Sequence, residues 1–417
     1  MMRTIEVLAP MRAKYFTRGT KILTALAAVG IFAYLYRMVF SLGNATNLTD
    51  QYPWGIWISI DVASGVALAA GGFTTAALAE IFGQHKYHAV TRPALLTALL
   101  GYTFVVIGLL ADLGRYYNVW HPMLPDMWQG NSVLFEVGMC VMIYLSVLYI
   151  EFLPVVVERF RGRANLPGRL SSFNKILETL LIIADKTAGR FLSLFIIAGV
   201  MLSCLHQSSL GTLMLIAPTK MHPLWLTPIS PLLFLLSAIA VGYPMVMFES
   251  ILAARSFKLK PEMHVLSSLA RFVPILLGIY LGVKIVDLTI REAWPLVFEG
   301  SFASTMYIIE ILGGVVIPLV MTLSGKIRRS ATGLFTSATM IVLGVVLNRI
   351  NVFLVAYNPL YADKPYFPSP IEIAVTVGLI SLLMLIYRAM VMIFPVISVP
   401  LETNAGVAHM RETVGKA

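Results

Sequence analysis

The sequence predicts an all-α, polytopic membrane protein of about ten transmembrane helices, and two observations carry that reading. Of 417 residues, 58% are hydrophobic and only 12% charged, with a mean hydropathy of +0.82, more apolar sequence than a soluble core can absorb. Runs of about 20 residues with few charges recur along the whole chain, and each is long enough to cross a hydrocarbon layer of roughly 30 Å as a helix.

Taken in order, the spans fall at roughly 22–41, 54–81, 93–112, 132–157, 191–216, 231–252, 268–288, 302–323, 331–354 and 371–394. They fill one integral membrane domain, 1–417, with no room for a soluble domain between them. The first has a basic approach, lacks a convincing small-residue cleavage site and is too long for a signal-peptide core, so it is expected to stay. The second follows Pro53-Trp54-Gly55 and carries Asp61 about two turns deep; its Gly65, Ala69, Gly71 and Gly72 suit close helix packing. The third ends in Asp112-Leu-Gly-Arg115, and the fourth begins at Asn131 with Glu136 about one turn inside. Between the fourth and fifth, Leu170 to Ile183 reads equally as a short amphipathic helix lying on the cytoplasmic surface or as a loop with helical character. The fifth carries His206-Gln-Ser-Ser209 in its outer half, the sixth Tyr243, Pro244 and Glu249, the eighth Glu310, and the ninth Asn348-Arg349.

Orientation follows from the basic residues. Of the 31 Lys and Arg, 24 fall at the termini and the even-numbered connections, leaving seven on the opposite side. By the positive-inside rule both termini are expected to be cytoplasmic. The formal charge of +10 therefore reports topology and anionic lipid rather than nucleic acid.

Cofactor chemistry is narrowed by what the spans hold. Cys140 and Cys204 both fall inside spans, so neither a disulfide framework nor a thiolate metal motif is visible. A transmembrane b-haem normally takes two imidazoles within the bilayer. Here His85, His88, His121, His222, His264 and His409 fall in connections or tails, leaving His206 alone. The expectation is a chain without haem or metal. Phosphate-cradling loops and hydrolase motifs are likewise lacking on a credible scaffold.

Ionisable residues at membrane depth are costly and mark sites by default. Asp61, Asp112, Arg115, Glu136, His206, Gln207 and Arg349, with Trp54 at the lead-in to span two, are expected to gather in the outer half around one apolar pocket. Such a set supplies donors for quinone carbonyls and protons for two-electron reduction. Inter-helix hydrogen bonds and a buried pair of Asp112 or Glu136 with Arg115 are the plainer alternative for any one of them. Glu249, Glu151 and Glu310 form a second set, candidates for a proton path; Glu80, near a span end, reads as snorkelling.

At these residues the chain resembles the NrfD/PsrC-type quinone-interacting membrane subunits, most closely their HybB-like branch. The resemblance rests on Tyr52-Pro-Trp-Gly-Ile-Trp57, Arg92-Pro-Ala-Leu-Leu96, Asp112-Leu-Gly-Arg115-Tyr-Tyr-Asn118 and Asn131-Ser-Val-Leu-Phe-Glu136. It continues through His206-Gln-Ser-Ser-Leu-Gly211, His222-Pro-Leu-Trp225, Asn358-Pro359 and Tyr366-Phe-Pro368. It implies two four-helix bundles plus two extra helices, without haem, binding menaquinone near the periplasmic face. The implied partner is a periplasmic iron–sulfur subunit, with a molybdopterin-type or hydrogenase-type catalytic subunit or a multihaem cytochrome c beyond it, and proton translocation is a further possibility of the type. The longer segment around Leu166 to Gly189 departs from the hydrogenase-associated pattern and brings the Qrc-type menaquinone reductase into consideration. The competing class is a secondary transporter or ion-conducting subunit, which intramembrane carboxylates would also suit. Transporters often carry internal repeats, and none is clear here.

Overall fold

The computed structural model describes residues 6–163, 168–362 and 364–400. Among the described residues, ten helices are long and apolar enough to cross a membrane. They are α1 Arg18–Phe40, α2 Trp57–Ile81, α3 His88–Asp112, α4 Val133–Phe160, α5 Arg190–Ile216, α6 Ser230–Phe257, α7 Met263–Ile290, α8 Phe302–Leu323, α9 Ala331–Val355 and α10 Pro370–Ile393. All ten predicted spans are present, their ends moved by a few residues at most. The starts are written into the sequence. The Ser132, Ser301, Ser330 and Ser369 side chains accept from backbone N–H groups of the first turns of α4, α8, α9 and α10, the usual satisfaction of donors that a helix leaves orphaned.

Helices α2 to α5 close one ring, each touching the next and α5 returning to α2; α6 to α9 close a second in the same way. The two bundles meet along α6, which packs on α2 and α5. The remaining helices, α1 and α10, pair with each other and dock against α2 and α3. This is the expected arrangement of two four-helix bundles plus two extra helices. The α1–α10 contact depends on glycine. Gly30 and Gly378 place their Cα atoms so close that a Cβ on either would overlap the other's backbone, the small-residue device by which apolar helices in lipid gain packing.

A short antiparallel pair, β1 Glu6–Leu8 with β2 Ser398–Pro400, ties the two described ends of the chain together on one face. We call this the terminal face and its opposite the distal face. Odd-numbered helices thus run toward the distal face and even-numbered ones return.

Two expectations are corrected. The segment before α5 is not a separate helix lying on a surface: one unbroken helix runs Asn174–Thr212. Leu181 to Lys186 contains no proline or glycine, and the Asp185 and Glu178 carboxylates tie its early turns to Arg161 and to the Gly162 N–H at the end of α4. His88 and His264 also do not lie in connections; they open the first turns of α3 and α7 at the terminal face. There His88 pairs with Glu80 at 3.2 Å, both partly exposed.

Wide π-type turns interrupt four places, Trp57–Ser64, Ala77–Ile81, Leu312–Val316 and Asn351–Val355. Such turns concentrate at functional sites. The first contains Asp61, and the last begins two residues after Arg349.

Candidate functional site

The predicted site residues do not converge on one pocket. Their contacts place most of them in three polar groups, while Trp54, Arg115, Glu136, Glu151 and Glu249 lie outside these.

The first group sits where α1, α2, α3 and α10 meet near the distal face. Asp61 lies inside the π-type start of α2 and accepts a hydrogen bond from Thr376 Oγ1 of α10 at 2.6 Å. Asp112 closes α3 within the field of Asp61, Glu372 and Arg37, and its buried Oδ1 has no hydrogen-bond partner among the described residues. Arg37 of α1 is 1% exposed. It donates to the Ala111 and Leu113 carbonyls at 2.6 Å each and lies over the Tyr116 ring. Its side chain therefore caps the end of α3 while supplying the cation beside Asp112.

Glu372 completes this group. Its carboxylate accepts from the Asn47 and Ser369 N–H groups at 2.9 and 2.8 Å and from the Tyr366 hydroxyl. Tyr366 in turn accepts from the Ile56 N–H, and Trp57 Nε1 donates to the Glu372 carbonyl. Burial and the neighbouring Glu372 carboxylate push the Tyr366 phenol above its ordinary range, so it stays a donor. Trp54 is half-buried with its ring 6.0 Å from that of Tyr357, beside rather than inside the carboxyl group.

The second group lies within the first bundle. His206 of α5 is fully buried; Nδ1 is 3.2 Å from the Tyr102 hydroxyl of α3, and Nε2 has no partner among the described residues. Tyr144 of α4 meets the Tyr102 ring edge-on at 4.5 Å. Gln207 Nε2 donates to the Val66 carbonyl of α2 at 2.7 Å, leaving its Oε1 unpartnered. A buried imidazole and a buried amide thus present open hydrogen-bonding positions inside one bundle.

The third group occupies the second bundle. Lys284 Nζ of α7 contacts Glu310 Oε1 of α8 at 2.7 Å, both nearly fully buried. Glu310 also accepts from Asn348 Nδ2 at 2.8 Å, Asn351 Nδ2 at 2.9 Å and Trp225 Nε1 at 3.0 Å. Arg349 donates to Asn348 Oδ1 and Ser237 Oγ and rests 3.7 Å over the Phe234 ring. At the distal end Arg291 holds Asp287 through Nε and Nη2. Glu310 is therefore the central acceptor of a charge-paired cluster, with four donors on its carboxylate, rather than a partner of Glu249.

Arg115 and Glu136 are the corrections. Both are exposed, and the ion pair expected between Arg115 and Asp112 or Glu136 does not form; Asp112 faces Arg37 instead. The reason is geometric: α3 ends at Asp112, and Leu113 leaves in an extended conformation, which turns Arg115 out of the bundle.

Toward the terminal face, Glu151 of α4 packs its carboxyl on Gly199 of α5. Glu249 of α6 points to Thr97 of α3 and Tyr387 of α10.

Arg37, Glu372 and Lys284 were not singled out from sequence, and Tyr366 and Trp225 entered only as motif residues. Arg37, in the last turn of α1, and Lys284 carried one signal, a lone cation within an apolar span.

The chain is similar to known proteins over most of its length. A family model described as "Polysulphide reductase, NrfD" matches residues 44–360. A protein of Nitratidesulfovibrio vulgaris is 37% identical over 91% of this chain and 95% of its own. The "Probable Ni/Fe-hydrogenase 2 b-type cytochrome subunit" of Escherichia coli K12 is 32% identical over 98% of each. The "Menaquinone reductase, integral membrane subunit" of N. vulgaris is 23% identical over 90% of each.

Proposed function

As the chain belongs to the NrfD polysulphide reductase family, we propose that it is the haem-free membrane subunit of a respiratory oxidoreductase complex, binding menaquinone near its distal face. Relatives named as subunits of a menaquinone reductase and a hydrogenase support a membrane partner common to different catalytic subunits. The distal face is periplasmic in this reading, because the terminal face carries the basic excess. A periplasmic iron–sulfur subunit exchanges electrons with the bound quinone there.

The observation that carries the reading is the pair of half-buried carboxyls, Asp61 and Asp112, near the distal end of the first bundle, with Asp112 Oδ1 buried and without a partner among the described residues. Quinone supplies the redox chemistry; the chain's own residues hold and protonate its head-group. Asp112, with its open Oδ1, is placed to give or take the proton, and Arg37 steadies the charge that remains. Trp54 and Tyr52 line the approach at the same end, while His206 and Gln207 offer a second open pair deeper in the bundle. Proton transfer by a positioned acid contributes typically 10²–10⁴-fold.

The name of the E. coli relative includes a b-type cytochrome. In this chain His206 is the one imidazole deep within a described span, its Nδ1 already occupied by Tyr102, whereas His88 and His264 lie at the terminal-face ends of theirs. That placement does not suit bis-histidine ligation. Quinone extraction and an absorption spectrum of the purified complex test both statements. Bound quinone without haem absorbance from this subunit is expected; stoichiometric b-haem in it would overturn the haem-free assignment, and failure to bind or reduce quinone would overturn the function.

A further inference from the structure

The terminal face is basic under both bundles, but the two differ in how many acids answer the charge. Under the first bundle Arg92 meets Glu158 at 2.7 Å, and Arg161 meets Asp185. Under the second, residues 255–271 and 324–330, which carry the ends of α6 to α9, hold seven Lys and Arg against one acid, Glu262. That acid lies on the α10 side, lining a pocket with Ile397 and Ser398. Arg271, Lys326 and Arg329 are exposed and meet no acidic side chain among the described residues.

Arg271 fixes the depth. It precedes Arg291 on α7 by 20 residues, about 30 Å along a helix, which matches the hydrocarbon thickness of a bilayer. Arg291 marks the distal boundary and is held by Asp287 and by the Pro223 and Leu226 carbonyls. Arg271 marks the other boundary, at the level where lipid phosphates lie. Below it Ile275 and Ile279 follow at four-residue spacing, so all three share one face of α7, and both isoleucines are exposed. Gly278 and Gly282, on the same face, have open space where a Cβ would stand. The terminal half of α8 packs beside α7 and exposes Val320 and Leu323. After α8 the chain turns through a short helix, Gly325–Arg329, that touches the first turns of α7. Arg328 donates to the Thr322 carbonyl at 2.8 Å, which pins this turn to the end of α8 and leaves Lys326 and Arg329 outward.

We propose that this corner of α7 and α8 is a binding site for a diacyl anionic phospholipid, with the phosphate between Arg271 and Lys326 and the two chains along the outward faces of the helices. Charge complementarity selects the occupant. Basic pockets between membrane helices bind anionic headgroups, whereas a zwitterionic lipid brings no net charge to answer the cations. The apolar faces that run up to those cations suit hydrocarbon chains, which a soluble anion lacks. The bound lipid joins α7 to α8 at the end of the second bundle away from the Lys284 and Glu310 cluster, and the proposal is independent of the quinone reading.

The test is native mass spectrometry of the purified full chain in neutral detergent, titrated with dioleoylphosphatidylglycerol and in parallel with dioleoylphosphatidylcholine. The wild type should retain one phosphatidylglycerol at least tenfold more tightly than phosphatidylcholine. From the usual contribution of one basic residue to anionic-lipid binding, Arg271→Gln and Lys326→Gln should each weaken phosphatidylglycerol about fivefold, and together they should abolish the preference. Both side chains are exposed, so the fold survives their loss. Lys86→Gln removes the same charge from an exposed position under the first bundle and should change binding less than twofold. A wild type without headgroup preference, a double variant that keeps it, or an equal loss in Lys86→Gln would overturn the site. Displacement of the lipid by an equal concentration of glycerol phosphate, the headgroup without its chains, would make it a plain anion site and overturn it too. Binding at least fivefold tighter in a chain ending at Pro400, which lacks Glu402 and Glu412, would assign the patch to the chain's own tail instead.

Discussion

Removing Glu310 should be among the most damaging single changes in the second bundle. The carboxylate accepts from Lys284, Asn348, Asn351 and Trp225. Inter-helix hydrogen bonds in membrane proteins average about 0.6 kcal/mol each, so four of them account for roughly 2.4 kcal/mol. Glu310→Leu also strands the Lys284 ammonium, which is 5% exposed, and breaking a buried pair from one side costs about 3–5 kcal/mol in all. That corresponds to roughly two to three and a half powers of ten in the folded ratio. Because an apolar pair of similar volume is often neutral in place of a buried ion pair, Lys284→Met combined with Glu310→Leu should recover most of the loss. Reversible unfolding in mixed detergent, followed by tryptophan fluorescence, gives the three differences directly. A loss below about 1 kcal/mol for Glu310→Leu, or a double variant worse than the single, would refute the picture of a charge-paired cluster centred on Glu310.

Other consequences can be checked in the same preparations. Arg115→Ala, at an exposed position, should cost less than about 1 kcal/mol, whereas Arg37→Ala leaves the Ala111 and Leu113 carbonyls without their donor and should cost about 1–3 kcal/mol; equal losses in a thermal-shift comparison would argue against the assignment of Arg37. Gly30→Leu should loosen α1 from α10 by about 1–3 kcal/mol or more through overpacking, read as faster proteolysis of the α1 connection, and wild-type resistance would contradict the close contact. A reporter fused after Ala417 should read cytoplasmic and one inserted near Gly130 periplasmic, and the reverse pattern would move the quinone site to the other side of the membrane.

The spans were legible because each needs little more than length and hydropathy, and even the paired bundles followed from the resemblance carried by the motifs. Depth along a helix was legible too: His206 and Arg349 are fully buried, and Asp112 sits at the distal end of α3, as counting residues from the span ends suggests. Azimuth was not. A helix offers its buried face only in relation to neighbours that sequence order does not specify, so Asp112 was matched with Arg115, three residues away, when its cation is Arg37 from a helix 75 positions earlier. The same blindness merged three polar groups into one. Glu310 read as a proton-path candidate and Lys284 went unremarked until α7 and α8 are seen to bring them together. The join between the surface helix and α5 was missed for another reason, since charged residues such as Asp185 and Lys186 end a hydropathy run without ending a helix.

The central claim is that the distal carboxyl pair serves the quinone, and Asp112→Asn tests it most directly. The substitution keeps size and hydrogen bonding but removes the ionisable proton. Quinone reduction by the assembled complex with an artificial donor should fall by roughly 10²–10⁴-fold, with subunit stoichiometry and quinone content unchanged. Near-wild-type turnover in an assembled Asp112→Asn complex would contradict the claim and direct attention to His206.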